Sequence, residues 1–196
     1  YIDVDPQALF LLRMCFETRW VFDGWWNTAY PGELEVLSDG ARLSQSYAST
    51  VWREQANHLL AAFIAHLREV GLYDRVVGFQ IGAGSSGEWV KEGAMSLPTG
   101  DYSEPMRRHF RSWLRDRYRG EAALRAAWAD ASVTFATAEV PTHEQQVSTT
   151  TGHSLRDPRR ERRVIDFYEC LADVCADDLA DFARTVRRET RGEKLV

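Results

Sequence analysis

The chain has 196 residues, 44% of them hydrophobic and 27% charged, with a formal net charge of -5, which is long enough to bury a sizeable core and too apolar to stay disordered. The acidic balance argues against a nucleic-acid partner, and no apolar run nears the about 18 residues of a membrane span. Three cysteines, Cys15, Cys170 and Cys175, form no C-x-x-C pair and cannot all pair with one another, so they read as buried thiols rather than a disulfide frame or a zinc site.

In chain order, Asp5-Pro6 reads as an N-cap with proline at the first helical position, giving a short helical turn. Leu9 to Phe16 is a continuous apolar run broken only by Arg13; it reads as a buried strand and ends in a carboxylate, Glu17. Arg19, Trp20, Trp25, Trp26, Asn27 and Tyr30 follow before Pro31-Gly32. Flat rings beside polar neighbours suit the C–H faces of a sugar, and equally a lid over the core. From Ser49, the residues Trp52, Ala56, Leu59, Phe63, Leu67 and Val70 recur at spacings of three and four, which puts them on one face of a helix closed by Gly71. Val76 to Ile81 then has the length and composition of a strand buried on both faces. Strand, long loop, helix, strand is one βαβ unit, and that requires a parallel sheet.

The strand from Val76 runs into Gly82-Ala83-Gly84-Ser85-Ser86-Gly87-Glu88-Trp89. The glycines spell G-x-G-x-x-G, a dinucleotide-binding pattern when a helix follows and an acidic residue ends a second strand. Here Gly93, Pro98 and Gly100 interrupt any long helix, the place of a second strand holds the helical pattern Arg107 to Arg111, and Glu88 would set a negative charge close to a pyrophosphate. The other reading is a flexible turn that delivers one acid, Glu88, beside one large apolar ring, Trp89.

Ser103-Glu104-Pro105 starts a helix with Met106, Phe110, Trp113, Leu114 and Tyr118 on its inner face, and Glu121 to Ala129 forms a shorter one. Thr134 to Gly152 lacks periodicity and reads as an irregular excursion. Asp157-Pro158 is expected to cap the longest helix, whose Val164, Phe167, Leu171, Val174, Leu179, Phe182 and Val186 keep the helical period to about Arg188. The basic run of Arg156, Arg159, Arg160, Arg162 and Arg163 reads as its solvated start, and Lys194-Leu195-Val196 as a strand beginning. This order suits a doubly wound sheet or a (β/α)8 barrel, and a barrel needs eight strands. With two full strands and the start of a third, residues 1–196 read as a single domain that is an internal segment of a longer chain.

Asp101-Tyr102-Ser103-Glu104-Pro105-Met106-Arg107-Arg108-His109-Phe110-Arg111-Ser112-Trp113-Leu114, with Arg117-Tyr118, Leu124 and Ala127-Trp128, resembles the helix pair after the fourth strand of family 42 β-galactosidases. Val77-Gly78-Phe79-Gln80-Ile81 is similar to that family's fourth strand, and Asp157-Pro158 with the long helix resembles the segment leading into the fifth. The resemblance implies an α/β fold, a partial (β/α)8 barrel of roughly strands 3 to 5 with long βα loops, and a retaining glycoside hydrolase. The family's general acid/base is the Glu of an Asn-Glu pair, whose positions here hold Ala83 and Gly84. Four residues on, the arrangement Gly-x-Gly-x-x-Gly-Glu also looks like the acid loop of β-amylases, so the acid role moves to Glu88. Many relatives carry zinc-binding cysteines where this chain has Asp101, Ser103 and Met106, so neither metal nor cofactor is implied.

Glycoside hydrolysis uses two carboxylates at the C-terminal ends of barrel strands. Glu88 against Trp89 would be a carboxyl held in an apolar setting that favours its neutral form. The second catalytic carboxylate is expected by resemblance on a late strand outside this sequence. Glu17, Trp25, Trp26, Gln80 and Trp89 are the expected substrate contacts, with the three tryptophans near one cleft because both loops leave the same end of adjacent parallel strands. Partners expected are a carbohydrate and, as an open alternative, further copies of the chain; no nucleic acid and no membrane. The competing functions are a nucleotide-binding α/β protein using the glycine loop, and a carbohydrate-binding relative that has lost a carboxylate.

Overall fold

Val76–Gly82 (β4) lies at the centre of the sheet. On one side it pairs in parallel with Phe10–Cys15 (β1), in the register Leu11 to Gly78, Arg13 to Gln80 and Cys15 to Gly82. On the other, Leu195 forms a parallel bridge to Gly78, with Phe79 N–H donating to the Leu195 carbonyl at 2.9 Å. The computed structural model describes residues 2–19, 24–91, 98–152 and 155–196; Trp20 and Gly93, named above, lie outside them.

Between β1 and β4 run Trp25–Ala29 (α1), a hairpin of Leu34–Val36 (β2) and Arg42–Gln45 (β3), and Thr50–Glu69 (α2). After β4 come Glu104–Arg117 (α3), Glu121–Trp128 (α4), His143–Val147 (α5) and Arg162–Glu189 (α6). The caps follow local chemistry. Ser49 Oγ accepts the Trp52 N–H at 3.0 Å and Ser103 Oγ the Met106 N–H at 3.2 Å, each satisfying an amide that the first helical turn leaves open.

Three expectations shift. Asp5-Pro6 forms a turn, with Asp5 accepting the Gln7 and Ala8 amides, and no helix follows because the chain enters β1 within a few residues. Asp157-Pro158 also forms a turn, and α6 begins at Arg162. The reason is Glu161, whose carboxylate reaches back to the Asp157 N–H at 2.8 Å, Thr150 Oγ1 at 3.0 Å and the Arg156 guanidinium at 2.9 Å, closing a separate loop ahead of the helix. In α2 the buried residues are Trp52, Ala56, Leu60, Ile64 and Leu67, while Leu59 and Val70 are exposed. The helix carries apolar residues on two adjoining stripes, and packing against α6 selects one of them.

One face of the β1–β4 sheet, with Leu12, Met14, Phe79 and Ile81, packs on the helices around Phe16, Trp52, Phe110, Phe167 and Phe182. The other face carries Arg13 and Gln80, with Leu11 61% and Leu195 72% exposed. The strand Leu9 to Phe16, expected to be buried, is therefore buried on one side only among the described residues. Residues 1–196 produced alone are expected to self-associate through this apolar surface and to bind an apolar dye; a cooperative, monomeric thermal transition without dye binding would contradict this.

Candidate active site

Beyond β4 the chain folds back on itself. Ala83 and Gly84 N–H groups donate to the Glu88 carbonyl at 3.4 and 2.6 Å, Ser85 to Val90 at 2.8 Å, Gly87 to Gly84 at 3.0 Å and Glu88 to Ser85 at 3.2 Å. The glycines make this closure possible. A Cβ on Gly82 would lie 1.9 Å from the Gly87 carbonyl oxygen, and one on Gly84 would lie 2.3 Å from that of Val90. Gly87 has a φ of +72°, a region costly for residues with a side chain. The amides that would cradle a pyrophosphate are thus committed to the loop's own carbonyls, and Ser85–Gly87 is a single 3-10 turn rather than the start of a long helix.

Glu88 has extended backbone, φ -106° and ψ -178°, and its side chain is exposed. In extended chain successive side chains take opposite sides. Trp89 accordingly turns inward: its indole N–H donates to the Ile81 carbonyl at 2.8 Å, and its ring packs 5.5 Å from Tyr47 and 6.1 Å from Phe182 between centroids. The ring expected beside the Glu88 carboxyl instead anchors the loop to the core.

The neighbouring strand supports the loop from the open face of the sheet. Arg13, opposite Gln80 in the parallel register, donates from Nη2 to the Gly87 carbonyl at 3.3 Å, so both polar side chains lead up that face toward Glu88. Glu17 is buried, 3.7 Å from the Arg19 guanidinium, in keeping with an ion-pair role. A residue the sequence did not single out ties the two loops together. Gln45 accepts the Thr18 N–H at 3.0 Å and donates to the Ala83 carbonyl at 2.6 Å, so it clasps the ends of β1 and β4.

The tryptophan pair divides. Trp26 is a core residue, 1% exposed, whose indole donates to Gln55 Oε1 at 2.8 Å; Trp25 is 56% exposed. Both line a cavity of about 360 Å³ with Trp52, Gln55 and Leu59, whereas Trp89 lines another with Tyr47 and Lys91. The expectation of one cleft for all three is replaced by two separate cavities, because the Trp25–Trp26 helix packs on the first turns of α2 through Trp26 and Gln55, while Trp89 turns in toward Tyr47 and Phe182.

Beneath the loop lies a charged cluster drawn from four segments: the buried carboxylates of Glu35 on β2, Asp101 and, on α6, Asp178, with the half-buried Lys91. Lys91 Nζ lies 4.3 Å above the Tyr47 ring, 3.1 Å from Ser44 Oγ and 4.0 Å from Glu35 Oε1. Burial pushes the Glu35 carboxyl up and the Lys91 amine down, each against the pull of the other. Asp178 has its carboxylate 2.5 Å from the Arg53 guanidinium of α2, yet complete burial drives it up to about 7. Between the ordinary aspartate range and about 7 the folded protein holds a proton that the unfolded chain has released, so stability falls as pH rises through that window. Thermal melts of the full-length protein from pH 5 to 8 should show this decline, and Asp178→Asn should flatten it; parallel curves for the two proteins would contradict the assignment.

Asp101, Ser103 and Met106, where the resemblance places zinc-binding cysteines, have other tasks here. Asp101 Oδ1 accepts the Val36 and Ser103 amides at 3.1 and 2.8 Å, fastening the hairpin to α3, Ser103 caps that helix, and Met106 is buried in the core. Among the described residues no group of three or more His, Cys, Asp or Glu could hold a metal ion.

No protein-family model matches the chain, and no curated protein matches it. Solved structures do. The β-galactosidase of the psychrophilic Marinomonas ef1 superposes with a TM-score of 0.61 at 19% identity, over 87% of this chain and 24% of that one. A family 42 β-galactosidase from G. stearothermophilus gives 0.62 at 16%, over 87% and 23%, and the β-galactosidase from Bacillus circulans sp. alkalophilus 0.61 at 16%, over 88% and 24%. The chain has the fold of one section of these enzymes. It spans about a quarter of their length, and its parallel strands with intervening helices are consistent with part of a (β/α)8 barrel.

Proposed function

We propose that this chain forms strands 3 to 5 of a (β/α)8 glycoside hydrolase, as one domain continued by sequence outside residues 1–196, and that Glu88 is its general acid/base. The observation that carries the reading is an exposed carboxylate, held by a self-closed loop at the C-terminal end of the central strand, in a fold shared with β-galactosidases. Barrel enzymes place reacting groups at that end. In this reading Gln80 and Arg13 line the approach to Glu88, Trp25 offers a ring at the same end of the sheet, and Glu17, Trp26 and Trp89 act as supports behind the contact surface. The nucleophile comes from a later strand, and the reaction retains anomeric configuration.

Full-length protein incubated with a panel of aryl β-glycosides, the β-galactoside first, is expected to release the phenol and the sugar with retained configuration. Sugar binding without turnover on any member would support the non-catalytic carbohydrate binder instead. Saturable binding of a dinucleotide would support the nucleotide reading, against which stand the committed loop amides.

A further inference from the structure

On the Trp89 side of the acid loop, between that loop, the β2–β3 hairpin and α6, lies a cavity of about 320 Å³. It is mostly apolar with a few convergent polar groups, and its size is at the small end of the roughly 300–1,000 Å³ usual for small-molecule sites. Its walls include the rings of Trp89, Tyr47 and Tyr168 and the side chains of Glu35, Asp101 and Gln146. These polar groups belong to the interior, with Glu35 2%, Gln146 4% and Asp101 6% exposed.

Each of the three uses only part of its hydrogen-bonding capacity within the protein. Glu35 Oε1 accepts from Ser44 Oγ at 3.1 Å, Asp101 Oδ1 accepts the Val36 and Ser103 amides, and Gln146 Nε2 donates to Tyr102 Oη and the Pro141 carbonyl, both at 2.9 Å. Among the described residues, Glu35 Oε2, Asp101 Oδ2 and Gln146 Oε1 have no hydrogen-bond partner, and neither has the buried Tyr47 hydroxyl. The buried Tyr47 hydroxyl is costly to leave without a partner, and together with the three spare acceptor oxygens it favours an occupant that brings several O–H groups. It does not favour a further charge: Lys91 already stands 4.0 Å from Glu35, and another ion would have to be desolvated in a largely apolar space. Flat rings add faces on which axial C–H groups can stack.

We propose that this cavity binds one neutral sugar ring, held by hydroxyl donors to Glu35, Asp101 and Gln146 and stacked against the aromatic wall. The proposal does not depend on Glu88 being the acid.

Cys175 lines the cavity and reports on it directly. Burial and the nearby Asp178 hold its thiol up, so alkylation is run on the alkaline side. Full-length protein is treated with iodoacetamide with and without D-galactose or D-glucose, and modification of Cys15 and Cys175 is followed separately by peptide mass. One of the sugars, at ten times its Kd, is expected to slow Cys175 alkylation about tenfold and leave Cys15 unchanged. Glu35→Gln, which keeps the shape and removes the charge, and Ala172→Trp, at an exposed position on the rim, should each abolish most of that protection, the second without lowering the melting temperature. The Glu88→Gln variant should keep it, so a failure of the catalytic reading leaves this result standing. No protection by either sugar, protection by phenol instead, or protection unchanged in both cavity variants would overturn the proposal.

Discussion

Glu88→Gln is expected to lower turnover of the full-length protein on glycosides with a poor leaving group by about 10²- to 10⁴-fold, the usual contribution of a general acid/base. Folding should be almost untouched. The loop is held by backbone hydrogen bonds of residues 83–90 and by Trp89, while the Glu88 side chain is exposed and has no hydrogen-bond or ion-pair partner among the described residues. Surface substitutions of this kind usually stay within about 0.5 kcal/mol. Substrates with an acidic phenol need little protonation and should lose much less in the first chemical step. Steady-state rates on two aryl glycosides of differing phenol acidity, with thermal melts of both proteins, check this; a near-native rate on the poor leaving group would remove Glu88 from the role.

Gly82→Ala is expected to lower turnover by about 10²-fold without adding or removing any polar group. The new Cβ would lie 1.9 Å from the Gly87 carbonyl oxygen, and since that atom belongs to backbone, relief requires the loop to lift off the strand end and carry Glu88 with it. A displacement of the order of 1 Å at a reacting group can cost that much. Gly32→Ala is the control, because a Cβ there meets nothing within 4 Å. Combined with Glu88→Gln, Gly82→Ala should add little further loss, as expected of residues that act through one group. Full additivity, or unchanged turnover in the Gly82 variant, would mean that the loop does not position the reacting carboxyl.

What could be read from residues alone was what depends on neighbours in the chain. The capping serines at 49 and 103, the apolar run of β4 and the strand order that forces a parallel sheet all rest on local chemistry, and the structure has them where expected. The β2–β3 hairpin was missed for a physical reason. Its strands are three and four residues long and bury Glu35, Ser44 and Gln45, so they lack the apolar alternation by which a strand is recognised. The cluster of Glu35, Lys91, Asp101 and Asp178 has no sequence signature, since its members come from four segments and meet only by folding. Trp25 and Trp26 illustrate the same limit at closer range: composition marks both as large apolar rings, and only the phase of a five-residue helix decides which one is buried.

The most direct test of the account is azide rescue of Glu88→Ala in the full-length protein, using an aryl glycoside with a good leaving group. Such a substrate can glycosylate the nucleophile without an acid, and the intermediate then waits for a base to activate water. Azide needs no base. The account predicts that turnover of the alanine variant rises with azide concentration and yields a glycosyl azide of retained configuration, while the wild-type rate does not rise. An alanine variant that turns over normally without azide, or one that is slow and gains nothing from it, would contradict the assignment of Glu88.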